Sequence, residues 1–445
     1  MRLLVFHGYM LRGTGSNIYN ANLARALARL GHEVHLLCQD RETRIEGVEI
    51  HNPDIGGLLP VYVKDPYEGF EVKAFPELSE EELDRYLEAN VAAARAVAER
   101  TGGIELALAN HLVMGPPVLA RAAVAPFAAK IHGSALEYTV KPNPRFLPYA
   151  EEGMGAARGV LVGSRHTAES LWNALPGMTG LREKTRLGPP GVDTEEFSPG
   201  DERSPRVVFV GKLIVSKGVD LLLAAWPLVR AKHPEARLEI AGFGEYEEAL
   251  RDLLVALEHG DLERAREIAA AGWALEGGAE KPLPILSAFL ADPPAGYAEA
   301  ARDAVGSAEF IGRLEHDEVA RLLPGAEALV MPSTFPEAFG MVAAEAAACG
   351  ALPVSAGHSG MLEVSRQLAA ALPPEIARLT SFPVETGAIE AIAARLDGWL
   401  SLPEERREGA REALVETARR LWSWEGVARG VIAAARGQLD RLPDA

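Results

Sequence analysis

Short, unbroken apolar runs alternate along this chain with segments whose apolar residues recur every three to four positions. The first run is residues 3–6. A glycine-bearing loop follows (Gly8, Gly13, Gly15), and residues 20–30 then carry apolar side chains at helical spacing until Gly31 stops them. Residues 33–38 form the next run, so the pattern predicts a βαβ unit with its loop at the carboxyl end of the first strand. The same pattern restarts at 207–210, with a loop over 211–218, a helix over 219–231 and a strand over 237–242. Further runs at 106–109, 128–131, 160–163, 310–311, 328–331 and 352–355 have the composition of strands covered on both faces. Helical patterns lie between most of them, as right-handed crossovers require.

The turn-rich stretch around Pro189, Pro190, Gly191, Pro199, Gly200 and Pro205 separates the two halves. The expected architecture is α/β, two doubly wound Rossmann-like domains spanning 1–200 and 201–424 and facing each other across a cleft. The second half is longer than its crossovers need, and residues 252–305 read as a helical insertion whose role the sequence does not assign.

Charge and composition narrow the function. The 445 residues carry a net charge of −18, with 20 basic against 25 acidic residues up to Gly200 and 25 against 38 beyond it. Neither half is basic, which argues against nucleic-acid or membrane-surface partners. No run of about 20 apolar residues is present, so no membrane span is expected. Cys38 and Cys349 are too few for a disulfide framework or a cysteine-rich metal site, and a cytoplasmic chain is expected. The eleven histidines include no His-x3-His pair; His32 and His35 read as flanking a strand, and no metal is expected.

Open parallel sheets bind ligands at the carboxyl ends of their strands, so candidate chemistry is sought in those loops. After the run at 328–331 come Glu337, Phe339 and Gly340, then a helix with Glu345 among alanines. The amides of Gly340, Met341 and Val342 form an uncapped helix start suited to an anion. A carboxylate on so apolar a helix costs several kcal/mol without a partner, and a ribose diol is a suitable one. The loop after 207–210 brings Gly211, Lys212 and Lys217, two cations that can neutralise a diphosphate without a metal.

These residues resemble the retaining glycosyltransferases of family 4, which have the GT-B architecture. The resemblance rests on Gly211-Lys212-Leu213 with Lys217-Gly218, on Phe310-Ile311-Gly312-Arg313-Leu314, and on the Glu337/Glu345 pair. In the first half it rests on Gly13-Thr14-Gly15, on Lys130-Ile131-His132-Gly133-Ser134, and on Gly191-Val192-Asp193 with Phe197. It implies that Lys212 and Lys217 hold the diphosphate of a UDP- or GDP-linked sugar, Glu345 the ribose and Glu337 the transferred sugar. It further implies that His132 lies near that sugar, that Gly15 lets the backbone approach donor and acceptor, and that a helix at about 425–445 packs back on the first domain. Tyr9, Asn110, His111 and Ser134 are the residues expected to line the acceptor side. No cofactor is implied beyond the nucleotide sugar. The chain departs from the family at Lys212, where arginine is usual, and at His358-Ser359-Gly360, where Gly-Gly is common.

Other readings compete. Gly13-x-Gly15 with Asp40 after the next strand suggests a dinucleotide-binding oxidoreductase, though Ile18 stands where the third glycine belongs. A sugar-nucleotide epimerase, a glycan phosphorylase or a non-catalytic binding protein would use the same architecture.

Overall fold

Both faces of the first strand are covered, which is why it is apolar at every position from Leu3 to Phe6. The computed structural model describes residues 1–63, 67–200 and 203–445. In chain order the first nine strands are β1 (Arg2–Phe6), β2 (Glu33–Leu37), β3 (Val48–His51), β4 (Leu58–Val61), β5 (Glu71–Ala74), β6 (Leu106–Asn110), β7 (Phe127–Ile131), β8 (Gly159–Val162) and β9 (Thr185–Leu187). Among the described residues, seven of them form a parallel sheet in the order β3-β2-β1-β6-β7-β8-β9, while β4 and β5 pair separately. Then come β10 (Arg206–Val210), β11 (Arg237–Ala241), β12 (Ala308–Gly312), β13 (Ala328–Met331), β14 (Leu352–Ala356) and β15 (Ser381–Phe382). These six form a second parallel sheet, ordered β12-β11-β10-β13-β14-β15. Strand order reverses beside β1 in one sheet and beside β10 in the other, so each sheet opens a crevice at its switch point.

Contacts divide the chain into two units, Met1–Gly191 with Trp422–Ala445, and Val192–Leu421. The last helix, Trp424–Arg436, belongs to the first unit, where Trp424, Ala428, Val431 and Ala434 join the core around Leu3, Val5 and Leu108. A Cβ on Gly191 would lie 2.5 Å from the Trp424 ring, so only glycine fits beneath the indole. Of the turn-rich connection read from the sequence, Asp201 and Glu202 lie outside the described residues. Arg203 donates to the carbonyls of Ala326 (2.8 Å) and Cys349 (2.7 Å) within the second unit.

The first helix runs Gly15–Arg29, beginning more than one turn before the expected position 20. Polar Asn17 and Asn20 interrupt its apolar period, yet both are buried because their amides bond His7. The insertion is helical, comprising Glu247–Glu258, Leu262–Ala271, Pro284–Ala291 and Tyr297–Asp303. Tyr297 docks it on the second unit by donating its hydroxyl to the Ala224 carbonyl at 2.7 Å. Between its second and third helices, Glu276 accepts the backbone N–H of Val215 at 2.7 Å.

One buried ion cluster lies at the foot of the second sheet. Glu327, immediately before β13, receives both oxygen contacts from Arg411 Nη2 (2.7 and 2.9 Å) on the helix Glu404–Leu421. Arg407 and the Trp399 indole add contacts at 3.1 Å each. Glu327 and Arg411 are only 4% and 3% exposed, and Arg411 pairs with Glu404 and Glu408 as well, so the buried charges are held as a network.

Candidate functional site

In the second unit, the loop after β10 ends in a short turn, Val215–Lys217, and at Gly218, whose φ of +66° begins the helix Val219–Arg230. A Cβ on Gly218 would fall 2.1 Å from the Pro332 carbonyl oxygen, so glycine is what lets this loop lie against the one after β13. Thr334 N–H donates to the Ser216 carbonyl at 2.8 Å and joins the two loops. Lys217 then meets Glu337: its ammonium is ion-paired with Oε1, which also accepts the Ser333 hydroxyl at 2.9 Å. The sequence named these two residues separately, and the fold makes them partners. Burial pushes the Glu337 carboxyl up, but Lys217 and Ser333 outweigh it and hold the group below its usual range. Both side chains stay 26% exposed.

The backbone of Glu337 is fixed from the other side. Its N–H donates to Ser359 Oγ at 2.9 Å, and its carbonyl accepts from Gly360 N–H at 2.9 Å. His358 Nε2 lies 2.8 Å from the Ser333 carbonyl, which can only accept, so that nitrogen carries the proton and Nδ1 takes the Ser359 hydroxyl at 3.1 Å. Ser359 is held at φ +52°, an uncommon conformation for a residue with a side chain. The departure at His358-Ser359-Gly360 therefore has a structural use: it holds the glutamate loop.

Lys212 and Gly211 are half-buried at the end of β10. Gly340, at φ +140°, precedes the helix Met341–Ala348, which has no side-chain cap and no acidic residue in its first turn. Phe339 and Gly340 are buried there, Met341 and Val342 half-buried. Glu345 is 4% exposed, as an otherwise apolar helix requires. Its partner within the chain is a residue the sequence reading missed: His316 Nε2 lies 3.0 Å from Glu345 Oε1. His316 follows β12 at the carboxyl end of the sheet, its ring 4.8 Å from that of Phe197. A search of that loop for groups able to pair a buried carboxylate would have found it.

Burial lowers the His316 pKa, but the hydrogen bond and charge of Glu345, with Glu196 and Asp193, raise it overall above 6.5. The folded chain thus favours the protonated ring, and that stabilisation is complete below the unfolded value and lost as pH rises through the folded one. The melting-temperature advantage of the wild type over His316→Gln is expected to be larger at about pH 6 than at about pH 9. An advantage that grew with pH would refute the assignment.

In the first unit Asn110, alone among the four residues expected on the acceptor side, joins a buried hydrogen-bonded chain with His7, Asn20 and His132. His7 Nε2 donates to Asn17 Oδ1 (2.9 Å), and its Nδ1 accepts from Asn20 Nδ2 (2.9 Å). Asn20 Oδ1 accepts from Asn110 Nδ2 (2.7 Å), and Asn110 Oδ1 faces His132 Nε2 at 2.8 Å. The donors of Asn110 are thus committed to Asn20 and the Phe6 carbonyl, so His132 carries its proton on Nε2 and presents Nδ1 as an acceptor. Burial keeps both end rings neutral, taking His7 down to about 4 and His132 well below its ordinary value. Burial pushes Lys130, whose ammonium lies over the Tyr19 ring, down to about 7. His111 stacks on His7 with centroids 5.7 Å apart, packs against Tyr9 and Tyr62, and has neither buried ring nitrogen hydrogen-bonded. Gly15 is exposed at the first turn of its helix, and Ser134 is half-buried beyond β7.

Asp40, the acidic residue of the dinucleotide reading, is committed elsewhere. Its two oxygens accept from Leu11 N–H (3.0 Å), Glu42 N–H (3.0 Å), Thr43 N–H (2.7 Å) and the Thr43 hydroxyl (2.9 Å). It braces the glycine loop and is 1% exposed, which leaves it no role on a ribose.

Comparisons with known proteins match both halves of the chain. The family model described as Glycosyltransferase Family 4 matches residues 13–196, and two models described as Glycosyl transferases group 1 match 204–273 and 300–419. The D-inositol 3-phosphate glycosyltransferase of Geodermatophilus obscurus is 28% identical over 94% of this chain and 84% of its own. A GDP-mannose-dependent monoacylated alpha-(1-6)-phosphatidylinositol monomannoside mannosyltransferase of Corynebacterium glutamicum is 26% identical over 61% of this chain and 68% of its own. Among solved structures, sucrose-phosphate synthase from Thermosynechococcus elongatus superposes with a TM-score of 0.61 at 20% identity, covering 99% of this chain and 98% of that one. Anabaena Alr3699/HepE in complex with UDP and glucose gives 0.62 at 14% identity, covering 98% and 99%, a likeness of fold. With both halves matched and two doubly wound sheets in place, the chain belongs to the family 4 glycosyltransferases of GT-B fold.

Proposed function

We propose that this glycosyltransferase moves a sugar from a nucleoside-diphosphate sugar to an acceptor hydroxyl with retention of anomeric configuration and without a metal. The observation that carries the reading is the Lys217–Glu337 pair beside the uncapped helix start at Gly340. Lys212, Lys217 and the amides of Gly340, Met341 and Val342 supply the positive potential on which a diphosphate rests and on which its charge develops as it leaves. His316 fixes one oxygen of Glu345 and leaves the other for a ribose hydroxyl. Glu337, already neutralised by Lys217, accepts from hydroxyls of the transferred sugar.

Retention is supported by what the carboxylates are committed to. Inversion needs a base on the face opposite the leaving group, and both Glu337 and Glu345 are tied to a cation or imidazole. In the retaining reaction the anomeric carbon–phosphate oxygen bond breaks as the acceptor oxygen bonds the same face. The acceptor's proton passes to the departing β-phosphate oxygen. An α-linked donor is therefore expected to yield an α-linked product, read from the anomeric coupling in the proton NMR spectrum of fresh product; a β-linkage overturns the scheme.

Metal independence has its own test. Initial rates at room temperature are expected to be the same in excess EDTA as in Mg²⁺, because the cations at the diphosphate are side chains. Loss of activity in chelator, restored by Mg²⁺ or Mn²⁺, would count against the lysine loop as the neutralising element.

A further inference from the structure

β2 and β3 form one edge of the seven-stranded sheet, and three ligand-bearing side chains meet on one face of that pair. His35 and Glu49 are register partners, and His51 lies two residues beyond Glu49, so the alternation of a strand gives all three the same face. His35 Nδ1 is 3.1 Å from His51 Nε2 and 3.4 Å from Glu49 Oε2. One ligand atom from each residue lies within 4.8 Å of the others. The ligand atoms of a tetrahedral ion with bonds of about 2.0–2.1 Å stand about 3.3 Å apart, so little adjustment is needed to close the site. His35 is 2% exposed, His51 12% and Glu49 57%, which puts the entry on the glutamate side. Behind the site, His35 Nε2 lies 3.2 Å from Glu33 Oε1. That carboxylate can only accept, so it holds the ring proton on Nε2 and turns the Nδ1 lone pair toward His51 and Glu49.

We infer that His35, His51 and Glu49 form a site for a divalent transition ion of the zinc class, bound by two imidazole nitrogens and a carboxylate with one position left to water. Neutral imidazole with carboxylate suits this class, whereas calcium and magnesium take oxygen ligands. The bound ion ties the edge strand β3 to β2 and takes no part in sugar transfer, so the inference stands apart from the proposed reaction.

Arg100 competes for the site. Its Nη2 donates to His51 Nδ1 at 2.9 Å and stands 3.6 Å from Glu49. That bond leaves the His51 proton on Nε2, directed at His35. Ion binding at Nε2 moves this proton to Nδ1 and displaces Arg100, whose side chain is 55% exposed and can swing into solvent.

The test uses the full chain, stripped with a chelator, dialysed and titrated with Co²⁺ and then Zn²⁺. One Co²⁺ per chain is expected, with the strong visible absorption of a tetrahedral ion, bleached as Zn²⁺ replaces it. His51→Ala should abolish the signal, Glu33→Gln should weaken binding about tenfold, and Arg100→Gln should tighten it. Zn²⁺ should raise the melting temperature of the wild type and not that of His51→Ala. An unchanged circular-dichroism spectrum and a cooperative metal-free melt of His51→Ala show that the variant is folded. Absence of one-to-one binding by the wild type, or equal binding by His51→Ala, overturns the assignment.

Discussion

Lys217→Ala is expected to weaken nucleoside-diphosphate binding by about 1.5–3 kcal/mol, roughly 10- to 150-fold in dissociation constant. Two effects add. The phosphate loses a charge-assisted donor, and Glu337, deprived of its ion-pair partner, stands as a bare carboxylate beside the bound anion. The second effect makes the pair's behaviour distinctive. In Lys217→Ala/Glu337→Ala the repulsion is gone, so the double variant should bind the diphosphate more tightly than the lysine variant alone. Glu337→Ala by itself should leave diphosphate affinity nearly unchanged and lower turnover. Titration calorimetry reads all three, and equal weakening by both single variants would place Glu337 on the nucleotide and not on the sugar.

The largest loss of stability is expected at Arg411. Removing its guanidinium leaves Glu327 charged and buried with only part of its hydrogen bonding, a change of about 3–5 kcal/mol. The urea midpoint of Arg411→Ala should fall far below that of the exposed control Arg419→Ala, which is expected within about 0.5 kcal/mol of the wild type. Replacing both partners by apolar residues, as in Glu327→Leu/Arg411→Met, should recover much of the loss, because no buried carboxylate is then stranded and Arg407 keeps Glu404. A double variant no better than the single would show that packing around Trp399, not charge, holds the cluster.

Both sheets were legible because their central strands are buried on both faces and announce themselves as unbroken apolar runs. The strands at 328–331 and 352–355 fall within a residue of their expected ends. Where the expectation failed, a polar residue was doing interior work. The first helix begins at Gly15 because Asn17 and Asn20 are satisfied by His7, a pairing no hydrophobic period reveals. The carboxylate of Glu345 was correctly read as needing a partner, but His316, 29 positions away, emerges only when β12 and β13 are placed in one sheet. His35 lies inside β2, within the run expected at 33–38, but the register that sets it beside Glu49 and His51 belongs to the fold alone.

The bond from Val215 to Glu276 changes what the extra helices are for anyone reshaping this enzyme. Seen in outline, residues 252–305 resemble a passenger. Yet their carboxylate is the acceptor for a backbone amide two residues from Lys217, and burial holds that carboxyl above its ordinary value. Trimming the segment to make a minimal catalyst would strip the lysine loop of its brace and leave an amide without its partner. Any shortened design has to return an acceptor to that amide before its catalysis is compared with the parent's; modularity here ends at Glu276.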